Sequence, residues 1–365
     1  MSPRIAMINL TTGIKHGGIE TFVIELSKSL EARGLQVDLY VAKGDIKLDL
    51  PESINIFRFD FIDRDRIWDL GSRFRKFAER LSFGFHAWRE LKSHDYDYIY
   101  VHKPYDLPLA LYYRHKRGGQ VIYSSHGTEF FFGYKNLIRA CDFVFSCSQF
   151  NAQQVFDYCG LMPRILYNGV NTERFRPLSP DRELARQLQI DSDQAVMFTA
   201  ARLVGWKGIQ HAIEGMANSR HKTRLRYLIG GEGPYRDTLK ELAHMQGLTE
   251  QVIFIGQIPN EELPRYYSLA NIALYPSVAD ETFGISIAEA MATNTPVITC
   301  QVGGIPEVVG KDSIMVPPKR PDLIAQQIDH ILDSGFRGSP RTRIKENFTW
   351  DRITDSFMKQ IRVIQ

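Results

Sequence analysis

The stretch DETFGISIAEAMA carries two glutamates, Glu281 and Glu289, separated by seven residues. The apolar run IALYPS before it predicts a strand, and the next helix should begin near Phe283 or Gly284, with Glu281 at its mouth. Glu289 would lie about 8 Å further along, at ~1.5 Å per residue. A carboxylate accepts hydrogen bonds from two neighbouring hydroxyls at once, so the vicinal diols of a sugar would suit these side chains. The alternative is one solvated glutamate and one on the helix surface.

Two cations lie close together in AARLVGWKGIQHAI, where Arg202 follows a predicted strand and Lys207 begins the next helix. Like charges at a strand exit and a helix N-terminus favour an anion between them, and a diphosphate would suit the pair. The backbone amides of Gly284 and Ile285 would also point at a phosphate. Two solvated surface charges are the alternative interpretation.

Glycines stand between a predicted strand and a helix in two further places. Gly17 and Gly18 precede the first helix, and Gly230, Gly231 and Gly233 occur in YLIGGEGPYRDTL. Residues without side chains let a ligand approach the free amides of a helix N-terminus. The first pair lacks the GxGxxG spacing, so a nicotinamide cofactor is not supported. An ordinary turn is the simpler explanation of each motif taken alone.

The elements that would position these residues alternate between short β-branched or aromatic runs and helix-period segments, the pattern of parallel βα units. The strand candidates are RIAMINL, LQVDLYVA, INIFRFD, YDYIYVH, QVIYSSH and FVFSCS in the first half, and AVMFTA, RLRYLIG, QVIFIG, IALYPS, PVITC and SIMVP in the second. A polar segment at about 171–193, with Pro177 and Pro180, is the predicted linker. We therefore predict an α/β fold of two Rossmann-like, doubly wound domains facing across a cleft, with ligands at the carboxyl ends of the strands.

Length and composition limit the class of protein. A chain of 365 residues suits two domains, each able to bury its own core. Lys and Arg number 45 against 42 Asp and Glu, so no nucleic-acid partner is indicated. The four cysteines lack the spacing of a metal site or a disulfide framework. The N-terminal run IAMINL is too short for a signal peptide, and no apolar stretch reaches the ~20 residues of a transmembrane helix, so we expect a cytoplasmic protein.

Taken together, these motifs resemble those of the family 4 retaining glycosyltransferases, which have the GT-B architecture. The likeness covers essentially the whole chain. Its motifs, in order, are the pair Gly17 and Gly18, ARLVGWKG, GGEGP, ETFGISIAE, GGIPEVV and FTWDRI. The resemblance implies an acceptor-binding domain of residues 1–170, a nucleotide-sugar-binding domain of residues 171–348, and a C-terminal helix, 349–365, that crosses back onto the first domain.

The same resemblance implies a retaining hexosyltransferase, which moves a sugar from a nucleotide-sugar to an acceptor hydroxyl with no metal and no cofactor. The residues implied in catalysis are Arg202 and Lys207, on the departing diphosphate, Glu281, and His126 of SSHGTE, facing the donor sugar. The residues implied in donor binding are Gly17, Gly18, Gly231, Ile258 over the base, Phe283, the amides of Gly284 and Ile285, and Glu289 on the ribose. His102, which follows YDYIYV, is a poorer candidate than His126.

No single residue identifies the donor; a UDP-sugar is our first expectation and GDP-mannose the second. We expect the acceptor to be a glycan or lipid-linked glycan of cell-surface polysaccharide or glycoconjugate synthesis. Two alternatives stay open. A sugar-nucleotide epimerase or hydrolase has the same architecture, and a non-catalytic relative would bind a sugar nucleotide in order to regulate a partner enzyme.

The segment 64–92 has eight Lys or Arg against four Asp or Glu, and apolar residues near the helical period. The apolar residues of this pattern are Ile67, Phe74, Phe77, Leu81, Phe85 and Trp88, and Trp68 and Phe83 extend the apolar surface beyond one stripe. Basic amphipathic helices rich in Trp and Phe lie in anionic membrane interfaces, so peripheral contact with the inner face of the cell membrane is one hypothesis. A crossover helix packed on its own sheet also needs an apolar stripe, and this is the other hypothesis.

Overall fold

The computed structural model describes residues 2–15 and 17–362. The chain divides into two compact units. Unit 1 consists of Met1–Gly169 and Trp350–Gln365, and unit 2 of Val170–Thr349. Each boundary lies one residue from the boundary expected from the sequence.

The described part of unit 1 contains a seven-stranded sheet in which neighbouring strands pair in parallel. Its strands are β1 (Arg4–Ile8), β2 (Gln36–Ala42), β3 (Asn55–Phe59), β4 (Tyr98–Val101), β5 (Gln120–Ser125), β6 (Phe143–Ser146) and β7 (Arg164–Ile165). Its first five helices are α1 (Gly18–Glu31), α2 (Ser72–Leu91), α3 (Leu107–Arg117), α4 (Tyr134–Arg139) and α5 (Gln149–Cys159). The order across the sheet is β3-β2-β1-β4-β5-β6-β7.

Unit 2, described throughout, contains a six-stranded parallel sheet in the order β10-β9-β8-β11-β12-β13. Its strands are β8 (Ala195–Ala200), β9 (Leu225–Gly230), β10 (Val252–Gly256), β11 (Ile272–Tyr275), β12 (Val297–Cys300) and β13 (Ile314–Val316). Its helices are α6 (Arg182–Gln187), α7 (Ile209–Asn218), α8 (Arg236–Met245), α9 (Leu263–Leu269), α10 (Ile285–Ala292), α11 (Ile305–Val309), α12 (Pro321–Ser334) and α13 (Pro340–Asn347).

Alternate residues of β1 lie on opposite faces of the sheet and enter different cores. Met7 packs with Phe22 and Leu26 of α1 on one face, and Ile8 packs with Phe83 of α2 on the other. Helices therefore cover both faces, as parallel strands that are buried on both sides require. The doubly wound α/β class predicted from the sequence is confirmed, and the predicted strand AVMFTA coincides with β8.

Two local features differ from the sequence prediction. The segment predicted as a polar linker contains α6, where the Asp181 side chain caps the helix by accepting a hydrogen bond from the Leu184 amide at 2.9 Å. Asp181 also pairs with Arg265 of α9, so this segment is part of unit 2. Strand β7 was not predicted, because two residues carry no periodic pattern.

Four residues of the predicted apolar stripe of α2 point outward, which contradicts packing on the sheet for them, whereas Trp88 of the same stripe packs against the core of unit 1. Glu79 and Arg80 are buried instead; Glu79 pairs with Arg64 at 3.1 Å, and Arg80 pairs with Asp106 at 2.8 Å. Phe83, which was expected to extend the apolar surface, is fully buried in the core. The exposed apolar residues of the helix, here called the outer stripe, are Phe74, Phe77, Leu81 and Phe85.

The last helix, α14 (Trp350–Gln360), packs within unit 1. Phe357 is fully buried, with its ring stacked on Tyr100 of β4 at a centroid distance of 5.2 Å and 5.6 Å from the ring of Phe145. The crossing back of the C-terminal helix is therefore confirmed for α14; residues 363–365 of the predicted helix lie outside the described residues.

We predict that Phe357→Ala destabilises unit 1, because the substitution leaves a cavity beneath α14; a buried Phe→Ala change costs about 3–5 kcal/mol of unfolding free energy. The matched control is Asp355→Ala on the same helix, which removes an exposed ion pair with Arg33 and should cost at most about 1 kcal/mol. Urea unfolding followed by circular dichroism measures both variants. Equal losses would contradict the packing described for Phe357.

Candidate functional site

The strand order reverses between β1 and β4 in unit 1 and between β8 and β11 in unit 2. In open parallel sheets, ligands bind beyond the carboxyl ends of the strands at such a reversal. The loops at the reversal of unit 2 are 201–208, after β8, and 276–284, after β11. Of the predicted catalytic residues, all except His126 lie on these two loops.

An ion pair joins the two loops of unit 2. The Lys207 ammonium donates a hydrogen bond to the Glu281 carboxylate, and the two side chains are only 21% and 18% exposed. The residues are 74 positions apart in the chain, but β8 and β11 are adjacent, so their loops meet. Lys207 Nζ also lies 4.5 Å from the centroid of the Trp206 ring. The anion that neutralises Lys207 is therefore a carboxylate of the protein.

Arg202 differs from Lys207 in having no counterion. Its side chain is exposed and forms no ion pair with any residue of 2–15 or 17–362. The sequence predicted an anion between the two cations, and the structure provides one for Lys207 alone. Arg202 leaves a positive charge at the carboxyl end of β8 that an anionic ligand can neutralise.

The loop that carries Glu281 is held in place by the motif GGIPEVV. The Gly304 amide donates to the Glu281 carbonyl oxygen at 2.7 Å. Gly303 has a φ of +57°, and a Cβ at this position would lie 2.2 Å from the same oxygen. A side chain is excluded there, so this glycine allows the close backbone approach that positions Glu281.

Helix α10 begins where the sequence predicted. Gly284 caps it in the left-handed conformation, with a φ of +88°, and Ile285 is the first helical residue. Phe283 is buried and packs edge-on against Phe348, with ring centroids 5.7 Å apart. The amides of the first turn have no helical partners, so this end of the helix is electropositive.

Glu289 is 5% exposed, so the interpretation of it as a surface glutamate is wrong. The Asn260 side-chain amide donates to Glu289 Oε1 at 3.4 Å, which links Glu289 to the loop containing Ile258. Ile258 occupies the space above Gly230, where a Cβ would lie 2.4 Å from Ile258 Cδ1. The residues predicted to bind ribose and base therefore lie around one loop of unit 2.

Gly231 and Gly233 are required by the packing of the chain itself. A Cβ at Gly231, whose φ is +130°, would lie 1.9 Å from the Ala201 carbonyl oxygen, and one at Gly233 would lie 2.2 Å from that of Leu203. Both glycines allow the loop after β9 to pack against the loop that carries Arg202. An ordinary turn, the simpler of the two explanations given for this motif, therefore accounts for both glycines.

Arg341 of α13 is a positioning residue that sequence reasoning missed. Its guanidinium donates to the carbonyl oxygens of Ala292, Phe175 and Thr172 at 2.5, 2.9 and 3.1 Å. Because Ala292 is the last residue of α10, this charge stabilises the C-terminal end of the helix that carries Glu289. The sequence does not identify Arg341, because its partners are backbone carbonyl groups, which every residue has.

The glycine pair of unit 1 lies at the start of α1, whose first residue is Gly18. Gly17 has extended backbone, with a φ of 179°, which any residue adopts. A Cβ at Gly17 would lie 2.6 Å from Glu20 Oε2, the end of a flexible side chain that accepts a hydrogen bond from the Thr11 hydroxyl at 2.5 Å through Oε1. Neither backbone strain nor a rigid neighbour therefore requires glycine at position 17.

Two histidines lie together at the carboxyl ends of β4 and β5. His126 packs edge-on against Phe22 at 4.9 Å, and burial, with the positive charge of Lys103, lowers the pKa of His126 to about 3. His102, judged the poorer candidate, is 1% exposed, and its ring centroid lies 5.6 Å from that of His126. Burial, and then His126, keep the pKa of His102 well below its ordinary value. Both imidazoles are therefore neutral at physiological pH.

The structure offers no grouped metal ligands in the part of the chain that it describes: no three His, Cys, Asp or Glu side chains come together there to hold an ion. A reaction without a metal or a cofactor stays a prediction from the resemblance.

Two family models match the chain. The model for "Glycosyltransferase Family 4" matches residues 16–174, and the model for "Glycosyl transferases group 1" matches residues 180–349. Among relatives, the chain is similar to the uncharacterized glycosyltransferase MJ1607 of Methanocaldococcus jannaschii, with 33% identity over 52% of this chain and 51% of that protein. It is also similar to the D-inositol 3-phosphate glycosyltransferase of Streptomyces bingchenggensis, with 24% identity over 96% and 87%. The chain thus spans about half the length of the first relative and most of the second.

Solved structures share the fold. Sucrose-phosphate synthase from Thermosynechococcus elongatus is similar with a TM-score of 0.83 and 22% identity, over 99% of this chain and 98% of that one. Anabaena HepE, solved in complex with UDP and glucose, is similar with a TM-score of 0.82 and 21% identity, over 99% and 100%. With both units matched by family models and the fold shared along the chain, this protein belongs to the family 4 glycosyltransferases and has the GT-B architecture.

Proposed function

We propose that this chain is a retaining hexosyltransferase that moves a sugar from a nucleotide-sugar to a hydroxyl of a glycan or lipid-linked glycan. The observation that carries the proposal is the pairing of Lys207 with Glu281 at the strand reversal of unit 2, beside the unpaired cation Arg202. Family membership supports glycosyl transfer. Retention of the anomeric configuration is carried over from the resemblance of the motifs.

The chemistry requires positive charge where the leaving group departs. Breaking the bond to the sugar puts negative charge on a diphosphate, and cations fixed beforehand stabilise that charge more in the transition state than in the ground state. Arg202, Lys207 and the electropositive end of α10 would supply it. As Lys207 turns from Glu281 to a phosphate oxygen, the Glu281 carboxylate becomes available to accept hydrogen bonds from the sugar hydroxyls.

The donor proposed first is a UDP-sugar and the second is GDP-mannose. Glu289 on the ribose and Ile258 over the base would serve either nucleotide. The HepE structure with UDP and glucose favours the first option. The second is favoured by a Mycobacterium tuberculosis relative named as a GDP-mannose-dependent mannosyltransferase, 29% identical over 51% of this chain.

We also propose that unit 1 contacts an anionic membrane from the cytoplasmic side, where it would meet a lipid-linked acceptor. The four residues of the outer stripe fall within about 80° of the circumference of α2, at ~100° per residue. Trp68 and Leu70, just before the helix, are 85% and 67% exposed and continue the apolar surface. No helix in the described part of the chain is both long and apolar enough to cross a bilayer, so the contact would be interfacial.

Buried ion pairs keep the outer stripe on the surface. Arg80 and Asp106 are 5% and 2% exposed, and Glu79, which is paired with Arg64, is 2% exposed. Removing one partner of a buried pair costs about 3–5 kcal/mol, so α2 cannot rotate its aromatic residues inward without a large loss of stability. The stripe therefore needs a partner outside the unit.

Charge makes an anionic bilayer the best match for this surface. Four exposed cations of the same segment form no ion pair in the part of the chain that the structure describes: Arg66, Arg73, Arg89 and Lys92. Each Lys or Arg near an anionic surface contributes about 1 kcal/mol to binding, and aromatic side chains insert between the headgroups. A second copy of this chain would bring like charges together and is the weaker match.

We predict that Arg202→Ala lowers sugar transfer about 10²- to 10³-fold, because it removes a cation from the leaving group. The melting temperature should not change, since the exposed Arg202 has no ion pair to lose. The matched control is Arg182→Ala, another exposed arginine of unit 2 without an ion pair among the described residues. A thermal-shift screen with UDP, GDP, ADP and dTDP and their common sugars first identifies the donor. The activity assay then measures release of the nucleotide from that donor.

The same assay separates the alternatives. Product formed only with an acceptor, and with the donor's anomeric configuration by proton NMR, supports the retaining transferase. Turnover without an acceptor would favour the hydrolase or epimerase, and binding without turnover would favour the regulator. If none of the nucleotides raises the melting temperature, the proposal is refuted.

We predict that replacing the four outer-stripe residues with Ser abolishes sedimentation with vesicles of phosphatidylglycerol and phosphatidylcholine, because the apolar anchor is lost. Replacing the four unpaired cations with Gln should make residual binding insensitive to salt and to phosphatidylglycerol. The control is Leu178→Ser with Met245→Ser, two exposed apolar residues of unit 2. Sedimentation unchanged in the outer-stripe variant would refute membrane contact, and a concentration-dependent dimer lost in that variant would assign the surface to a second copy.

A further inference from the structure

His102 carries two buried polar atoms that the fold leaves unsatisfied. The residue is 1% exposed, and neither Nδ1 nor Nε2 has a hydrogen-bond partner among the described residues. Buried polar groups are normally hydrogen-bonded, so an imidazole with both nitrogens unsatisfied requires an explanation.

Aromatic packing holds the His102 ring in place without satisfying its nitrogens. The ring centroid lies 4.3 Å from that of Tyr100, 5.5 Å from that of Phe22 and 5.6 Å from that of His126. A phenylalanine would make the same apolar contacts. Packing therefore explains an aromatic ring at this position but gives no reason for an imidazole.

A small cavity adjoins the two histidines. It measures about 20 Å³ and is lined by His102, Lys103, Pro104, Tyr123, His126, Gly127 and Glu129. To hold one water-sized group, a cavity must leave about 10–15 Å³ open to the centre of that group, which is the kind of volume measured here. The cavity can therefore hold a single oxygen atom, such as that of a hydroxyl, among side chains that include both histidines.

The groups at the cavity favour a hydroxyl. Glu129 accepts hydrogen bonds from Lys103 at 2.9 Å and from Lys76 at 2.7 Å, so both ammonium groups already have a carboxylate partner, and one net positive charge is left on the three side chains. Burial opposes ionisation of Glu129, but the two lysines lower the pKa of this carboxyl to about 2, and it stays charged. A neutral imidazole offers one N–H donor and one acceptor, which complements a hydroxyl better than a phosphate.

The place of His102 in the fold also indicates a ligand. It directly follows β4, one of the two strands at the reversal of unit 1, and so corresponds in topology to the loop of unit 2 that carries Glu281. Ligands of open parallel sheets bind at such reversals.

We propose that His102 binds one sugar hydroxyl in unit 1, in a small site that it shares with His126. The inference rests on the proposed function and deepens it. The hydroxyl belongs either to the transferred sugar of the donor or to the acceptor, and the experiment distinguishes these sources.

The test is His102→Phe, studied in the full chain by calorimetric titration with UDP and UDP-glucose, or with the nucleotide and nucleotide-sugar that the screen identifies. Phenylalanine keeps the packing and removes two unsatisfied nitrogens, so the melting temperature should stay the same or rise. The affinity for UDP-glucose should fall about tenfold, with that for UDP unchanged, if the hydroxyl is the donor's. The control is His115→Phe, an exposed histidine of α3.

A second arm measures the affinity for octyl glucoside, a sugar acceptor probe, at saturating UDP. A fall in this affinity alone assigns the hydroxyl to the acceptor.

The outcomes separate the two proposals. If the wild-type chain binds nucleotide but His102→Phe changes neither sugar-dependent affinity, the inference about His102 is overturned and the proposed function stands. A marked fall in melting temperature in His102→Phe would also overturn it, because the nitrogens would then have a structural role. If the wild-type chain binds no nucleotide, the proposed function fails and the inference fails with it.

Discussion

Parallel pairing between neighbouring strands is the constraint on which both candidate sites depend. Because each strand enters its sheet in the same direction, the loops that follow the strands collect at one edge. This is why Lys207 and Glu281, 74 positions apart, meet as an ion pair, and why His102 and His126 lie side by side. The reversal in strand order then selects which of these loops have space for a ligand between them.

The features predicted correctly from the sequence are those encoded by patterns among neighbouring residues. Alternation of strand and helix identified both sheets, and the position of Gly284 after an apolar strand located the start of α10. The sequence did not predict contacts between distant residues, such as the counterion of Lys207 or the backbone groups bound by Arg341. Burial could not be predicted either: Glu289 was open to interpretation as a surface residue, and the unsatisfied nitrogens of His102 become visible only when the surrounding atoms are known.

Helix α2 shows how a periodic pattern can be correct while its orientation is not predicted. Four of its predicted apolar residues do recur on one side of the helix, but the buried side contains Glu79 and Arg80 together with Phe83, Ala87 and Leu91. Burying charge is favourable only when each charge is paired, and the partners Arg64 and Asp106 lie outside the helix. Once those pairs form, the remaining aromatic face must point away from the core. The outer stripe is therefore exposed because the opposite side of the helix carries these paired charges.

The two units differ in the electrostatics of their candidate sites. The loops of unit 2 bring together an unpaired arginine and the start of a helix, both positioned before any ligand arrives, and a lysine that would turn from Glu281 to reach an anion. In unit 1, Lys76 and Lys103 share the carboxylate of Glu129 and the imidazole of His126 is neutral, so this site carries less free positive charge than that of unit 2. A sugar with its hydroxyls suits the site of unit 1, and a diphosphate suits the site of unit 2.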